Sequence, residues 1–508
     1  MKKVIGILFA AVMCVGVLAG CAASATGEPV RDHVILATIG EPVLFYPLSD
    51  RGSTADDFLV LSNVYDTLTF LNADGSLSPG LAESWEILDD GNRIRLAIRQ
   101  GVQFHDGSVM TVEDVVFSLE RGAAGPLGAA LLPNFGRAEV VDGSTVDIHM
   151  ESPHAAIMTG LSSRVAPIVS KAYFDRVGMQ TYMEAPIGTG PYKFISAVSG
   201  DVITLEAFEN HWRGEPSIKT VFIRVMPDAA TQIIALENGD VHALRNPSIT
   251  TCLRLDEARG VAWTGIDSVS RITLFLSEWG GSPLEDRNVR RAIQHAINKE
   301  DINIGVNEGM ARVLDIDLAP MYGGHPTDYL VVPHDLDIAR QYMAASNYNN
   351  EEIVIVTRAN TPEETATRII QAQLMDIGLN VMVNAVDGVT YNELWIGGLY
   401  DGVILAATSS LVDSDHFSAT FMVPEAGFAF SQHSQYQRTR EIYDIMMHSR
   451  TIMGPERAEI IRQAVDIATE EAYLVPLYNM IQTIAYNTGL SGVEAHCLGI
   501  FNFRFWSW

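Results

Sequence analysis

Asp413-Ser-Asp-His416 packs two carboxylates and an imidazole into four residues. Oxygen and nitrogen donors at that density suit a metal ion or a cationic group. The same quartet also suits a cap on the helical turn that follows, because Asp accepts backbone N–H bonds there. His105-Asp106 stands beside Gly107 and reads as a structural hydrogen bond rather than an acid–base pair. Tyr322-Gly-Gly-His325 reads as a loop. The chain has no Walker-type loop, dinucleotide fingerprint, His-Glu-x-x-His helix or Gly-x-Ser-x-Gly elbow. No cluster brings a nucleophile, its base and an oxyanion donor together, which points away from an enzyme. Neither a cofactor nor a resident metal is expected.

A second chemistry lies at the start of the chain. Lys2 and Lys3 precede an apolar run from Val4 to Val17, the pattern of a secretory leader over residues 1–20. Leu18-Ala19-Gly20-Cys21 then looks like a bacterial lipobox, with Cys21 as the lipidated residue. A spanning helix would need about 20 apolar residues. Residues 21–29 form a short polar tether. Two more cysteines, Cys252 and Cys497, lie outside the leader; they either pair or stay as buried thiols. The 508 residues carry 34 Lys+Arg against 62 Asp+Glu, a net charge of −28. So acidic a chain repels nucleic acid and anionic lipid surfaces. With 47% hydrophobic residues it is globular, not disordered.

The elements that would position these groups alternate between strand and helix. Arg93 to Arg99 alternates polar with apolar, as a half-wet strand does. Thr111-Val-Glu-Asp114 predicts a capping box and a helix burying Val115, Val116 and Leu119. Asp228 predicts another cap, with Ile233, Ile234 and Leu236 inward and Gly239 as terminator. From Leu284 to Asn298 the residues Val289, Ala292, Ile293, Ala296 and Ile297 form one stripe, with Arg287, Arg290 and Arg291 off it. Thr361-Pro-Glu-Glu364 starts a helix within a strand–helix–strand–helix–strand unit over Ile353 to Ala407. A last long helix is expected over Gly454 to Glu471, and a final strand over Phe501 to Trp508. No repeat or linker divides the body, so any domains are interleaved.

Several segments, taken in order, resemble one family. They are Tyr65-Asp-Thr-Leu, Ser78-Pro-Gly-Leu-Ala-Glu-Ser-Trp85, Gly101-Val-Gln-Phe-His-Asp-Gly107 and Thr111-Val-Glu-Asp-Val-Val-Phe-Ser118. Pro186-Ile-Gly-Thr-Gly-Pro-Tyr192, Asn210-His-Trp-Arg213, Glu237-Asn-Gly-Asp240 and Asp286 to Ile297 follow. The set is similar to the peptide/nickel class of extracellular solute-binding proteins, family 5, which serve ABC importers. The resemblance implies an α/β fold of two lobes, the class II or cluster C type, with an extra small domain and a hinge. Mapped here, the first lobe takes 30–66, 186–268 and 478–508, the extra domain 67–185, and the second lobe 269–477. Crossovers near 268 and 478 form the hinge.

The resemblance also implies a role. A small solute, an oligopeptide or dipeptide, is captured by lobe closure and handed to a permease and its ATPase. The protein would act as a monomer on the outer face of the cell membrane, or in a periplasm, held by lipid on Cys21. Peptide binders of this family carry a Trp-Thr-Gly-Asp run whose Asp takes the peptide amine. Here that stretch resembles Ala407-Thr408-Ser409-Ser410, so this anchor is missing; Asp413 or Asp415 is the candidate substitute, the alternative being a structural pair. Arg358 falls where an arginine can take the ligand carboxylate. Extended peptides pair with main chain and need neither anchor. Rival ligands on the same fold are a nickel chelate, an opine or a sugar. A sensor that presents ligand to a receptor, a secreted hydrolase and a chaperone-like surface protein are the other readings.

Overall fold

The computed structural model describes residues 31–48, 54–277, 281–397, 400–408, 411–417 and 438–508. Cys21, Ser409 and Ser410 lie outside the described residues. An 11-stranded mixed sheet runs through the molecule. Its order is Asn380–Val386, Glu352–Arg358, Gly402–Thr408, Val261–Leu276, Leu474–Asn487, Ala243–Arg245, His33–Thr38, Thr220–Val225, Val202–Ala207 and Tyr192–Val198, with Arg312–Val313 also pairing to Leu474–Asn487. A separate four-stranded antiparallel sheet is built from Ala82–Leu88, Arg93–Ile98, Thr145–Met150 and Phe135–Asp142.

Each part buries its own apolar face. Val34, Leu59, Leu61, Tyr192, Leu205, Val221 and Ile484 form one core, closed by Phe501, Phe503 and Trp506. Ile94, Leu96, Val146 and Ile148 of the small sheet pack on Val115 and Leu119 of the helix Val112–Ala123. Ile353, Ile355, Val381, Ile370 and Leu374 make a core across the sheet, together with the stripe Val289, Ala292, Ile293, Ala296 and Ile297. The α/β alternation read from the sequence over Ile353 to Ala407 is therefore a parallel three-stranded unit, Glu352–Arg358 lying between its two partners.

The local signals explain the element starts. Thr111 and Asp114 form the reciprocal capping box, and Asp228 accepts from Thr231 N–H. Gly239 ends that helix at φ +78, in the left-handed region that costs glycine little. Two side chains break the expected faces. Ile234 is 55% exposed, so that helix buries a narrower stripe than its composition suggests. Arg290 is buried instead of facing solvent; it donates to the carbonyls of Leu284 and Glu471. Of the terminal aromatics Phe501, Phe503 and Trp506 pack inward as expected while Phe505 is exposed, and they form no strand. Phe503–Phe505 is a 3₁₀ turn, and only Ser507 bridges, to Ser491. Cys252 and Cys497 are both buried and free, and burial raises their thiol pKa to about 11 and about 12.

Candidate functional site: a crevice facing the hinge strands

Strand direction locates the site. In the first lobe His33–Thr38 runs parallel to Thr220–Val225 on one side and Ala243–Arg245 on the other. In the second lobe Glu352–Arg358 has parallel partners on both sides. In such sheets ligands sit in the crevice beyond the carboxyl ends of the strands, where the chain switches sides. Register shows where both sets of ends point. Arg245 lies level with Ile484, and Ile484 faces Thr264. Thr408 lies level with Ser270. The first lobe's strand ends and the second lobe's strand ends thus converge on Asp267–Arg271 from opposite directions.

That stretch is irregular. Val261–Leu276 and Leu474–Asn487 pair regularly up to Asp267 and Ile481, then resume at Arg271 and Asn479. Ser268, Val269 and Ser270 therefore face only Met480, a bulge in the two strands that join the lobes. Side chains supply the hydrogen bonds that the ladder lacks there. Asn479 Nδ2 donates to the Ser268 carbonyl at 2.7 Å, Gln482 Nε2 to Ser268 Oγ at 3.1 Å, and the Tyr322 hydroxyl to the Val269 carbonyl at 2.5 Å. Just past the bulge Arg271 is fully buried. Its guanidinium meets Asp317 at 2.7 and 2.8 Å, and Thr273 Oγ1 donates to the same carboxylate.

The first-lobe wall carries Arg245, whose Nε donates to the Gly499 carbonyl at 2.9 Å and whose Nη1 pairs with Asp56. Asp56 overhangs Gly40, where a Cβ would collide with its carboxylate. Sequence reasoning missed this pair because 189 residues separate its members. Asn246, just past the short strand Ala243–Arg245, turns the chain there with φ +52.

On the second-lobe wall Arg358 ends its strand, half-buried, with its guanidinium carbon 5.1 Å from the centre of the Tyr391 ring. Among the described residues no carboxylate lies within ion-pair distance of it. Thr408 ends the neighbouring strand. Asp413 and Asp415 sit farther along the loop and are buried. Arg457 takes both oxygens of Asp413 at 2.6 and 2.8 Å, and Asp413 Oδ1 also accepts the Asp415 N–H. Asp415 accepts from Arg450 Nε at 2.6 Å and lies 3.7 Å from His154 of the small domain. Leu411 completes the small domain's core. The quartet thus works as a clasp between domains. His416 and Phe417 begin a turn over Asp413 and Ser414. His416 is held neutral, its pKa lowered to about 3 by burial and by Arg271.

His105 is structural, accepting from Gly188 N–H and meeting the Gly190 carbonyl at 2.9 Å. Tyr322-Gly-Gly-His325 is a loop that bridges to Asp413 through Gly323. Among the described residues no group of three or more His, Cys, Asp or Glu side chains is arranged to hold a metal ion. No helix among them is long and apolar enough to cross a membrane. An open groove of about 430 Å³ lies beside the hinge strand, between Asn72, Ala73, Asp74 and Ser76, Thr264–Ile266, and Glu494 and Ala495. Its Thr264 lies level with Ile484 and so with Arg245, and its Ile266 adjoins Asp267.

Residues 76–428 match the family described as bacterial extracellular solute-binding proteins, family 5. The chain belongs to that family. The dipeptide-binding protein of Escherichia coli is 24% identical over 472 residues, 86% of this chain and 88% of its own. Heme-binding protein A of Haemophilus influenzae is 24% identical over 451 residues, 82% of each chain. Among solved structures, the oligopeptide-binding protein AppA of Bacillus subtilis with a nonapeptide superposes with a TM-score of 0.75 at 22% identity, covering 94% of this chain and 99% of that one. The two-lobed α/β fold of this chain is the family's fold, and its members are substrate-binding proteins.

Proposed function

We propose that this protein is the lipid-anchored capture component of an ABC importer and that its solute is a peptide. The observation that carries the reading is the convergence of both lobes' strand ends on a two-stranded, bulged connection. Such a connection lets the lobes close on a solute while the sheet stays continuous. Backbone groups at open strand ends suit an extended peptide, which brings its own N–H and C=O groups. Arg358 is the side chain best placed for the peptide carboxylate, since a guanidinium fork matches that group and no acid among the described residues occupies it. Thr408 and the loop beyond it supply neighbouring contacts, and Asp413 and Asp415 act by holding that loop in place.

The lobe limits proposed are 30–66 with 186–268 and 478–508, then 269–477, with 67–185 as the extra domain. Lipid on Cys21 tethers the mature monomer outside the cytoplasmic membrane, and the permease and ATPase accept the closed form. Ligand is bound and released unchanged. Native mass spectrometry of the protein beginning after Cys21, purified without added ligand, tests the reading. A ladder of bound masses built from amino-acid residues, lost on denaturation, is expected. A single mass with a metal isotope pattern, or a lone sugar mass, would replace the peptide by the rival ligands of the fold.

A further inference from the structure

Asp56 keeps one carboxylate oxygen for which the protein has no use. Its Oδ1 pairs with Arg245, which is itself buried and fixed by the Gly499 carbonyl. Among the described residues no donor reaches its Oδ2. The side chain is 38% exposed. The next acid along the chain shows the contrast. Asp57 is buried, and the N–H groups of Val43, Leu44 and Thr54 with the Thr54 hydroxyl take both its oxygens.

The fold places Asp56 at the crevice. Leu36 and Ala37 lie level with Ala243 and Leu244 in parallel strands, so Thr38 and Arg245 end those strands side by side. Arg245 Nη1 lies 3.5 Å from Thr38 Oγ1. Asp56 pairs with the last residue of one strand and overhangs Gly40, two residues past the end of the other. It stands in the first turn of the helix Ala55–Val64, so the helix and Arg245 together fix its carboxylate. A fixed, partly exposed carboxylate beyond the carboxyl ends of two parallel strands suits a cation that donates hydrogen bonds. The net charge of −28 favours the approach of one. A peptide with a free amino terminus carries such a cation below about pH 8. Asp413 and Asp415, the acids expected to receive it, are bound by Arg457 and Arg450.

We propose that Asp56 seats the α-ammonium of the peptide, so that the solute reaches from the first lobe to Arg358 on the second. This rests on the peptide reading above. The ammonium donates to Asp56 Oδ2, the terminal carboxylate accepts from Arg358, and the two ends of the ligand tie the lobes together. The solute class is then a peptide with both termini free, and N-blocked peptides are refused.

Calorimetric titration of the mature protein with Ala-Ala-Ala, its N-acetyl form and its C-terminal amide tests this. Acetylation removes the positive charge and should weaken binding to wild type about tenfold or more. Asp56→Asn should erase the preference for a free amine and keep free acid over amide; Arg358→Gln should do the reverse. Gly40→Ala disturbs the same seat without removing the acid. Its methyl group displaces the Asp56 carboxylate, so the amine preference should fall while the acid preference holds. That variant decides the matter if Asp56→Asn, which strips Arg245 of its partner, fails to fold. Equal affinity of wild type for the free and acetylated peptides overturns this inference alone. So does an amine preference that survives Asp56→Asn or, where that variant does not fold, Gly40→Ala. Loss of both preferences together would make Asp56 a structural partner of Arg245 only and overturn the assignment. Binding of none of the three peptides overturns the peptide reading and this inference with it.

Discussion

Arg271 and Arg358 both stand near the hinge, on neighbouring parts of one sheet. Arg271 is fully buried and both Asp317 oxygens answer it, with Thr273 on the same acid and Tyr322 beside it. Arg358 is half-buried and held beside Tyr391, and among the described residues no carboxylate lies within ion-pair distance of it. The first arrangement fixes geometry: removing either partner strands a charge in a dry interior. The second leaves hydrogen-bonding capacity for something outside the chain, at a cost to the empty protein. Arginines around this crevice therefore divide into those whose acid partner fixes the lobes' shape and those, like Arg358, for which we propose a ligand as partner.

Asp317→Ala should separate the two groups most sharply. It leaves Arg271 buried without its partner and should lower stability by about 3–5 kcal/mol, read by urea denaturation. A loss below about 1 kcal/mol would dissolve the distinction. Asp413→Asn comes next. It weakens a buried two-pronged pair with Arg457 and should cost about 3 kcal/mol, with affinity falling alongside because the loop loosens. If affinity falls while stability stays unchanged, Asp413 touches ligand and does not merely hold the loop. Arg358→Gln should leave stability within about 0.5 kcal/mol and weaken peptide binding by about 1.5–3 kcal/mol, measured by calorimetric titration.

The smallest effect depends on pH. Burial lowers the pKa of His154 to about 4, with Asp415 pulling the other way. The unfolded chain takes up that proton near the ordinary histidine value, about 6.5. Between those values the unfolded state binds more protons, so stability is full above about pH 6.5 and falls as pH drops toward 4. His154→Gln should flatten that fall by about 1–2 kcal/mol at pH 5, seen as a smaller shift of the thermal midpoint between pH 7.5 and pH 5. An unchanged slope would mean that the His154–Asp415 contact opens before the protein unfolds.

The sequence makes elements legible where a rule is local. The capping box at Thr111 and Asp114, the stop at Gly239 and the alternating unit over Ile353 to Ala407 all follow from spacing within a few turns. Arg290 and Ile234 deceive because polarity alone does not say which side chain finds a carbonyl and which finds water. The crevice is less legible still. Arg245 and Asp56, Arg271 and Asp317, and Arg457 and Asp413 are partners across 189, 46 and 44 residues. Nothing in the local pattern tells an arginine with a distant acid from Arg358, which has none among the described residues. Asp413-Ser-Asp-His416 shows the same limit from the acidic side. Its composition advertises a site, while its carboxylates are bound by Arg457 and Arg450.

The strand Leu474–Asn487 lies at the centre of the large sheet and touches both lobes, and Trp506 is buried in the first lobe's core. Neither lobe can therefore close its sheet until the last tenth of the polypeptide has arrived. The earlier strands wait for a partner hundreds of residues away, and contacts at that separation form slowly. A chain emerging in order from its N-terminus stays incomplete for nearly its whole synthesis. For a polypeptide that must thread a membrane before it works, this delay keeps it passable, and the final strand sets the moment at which folding commits.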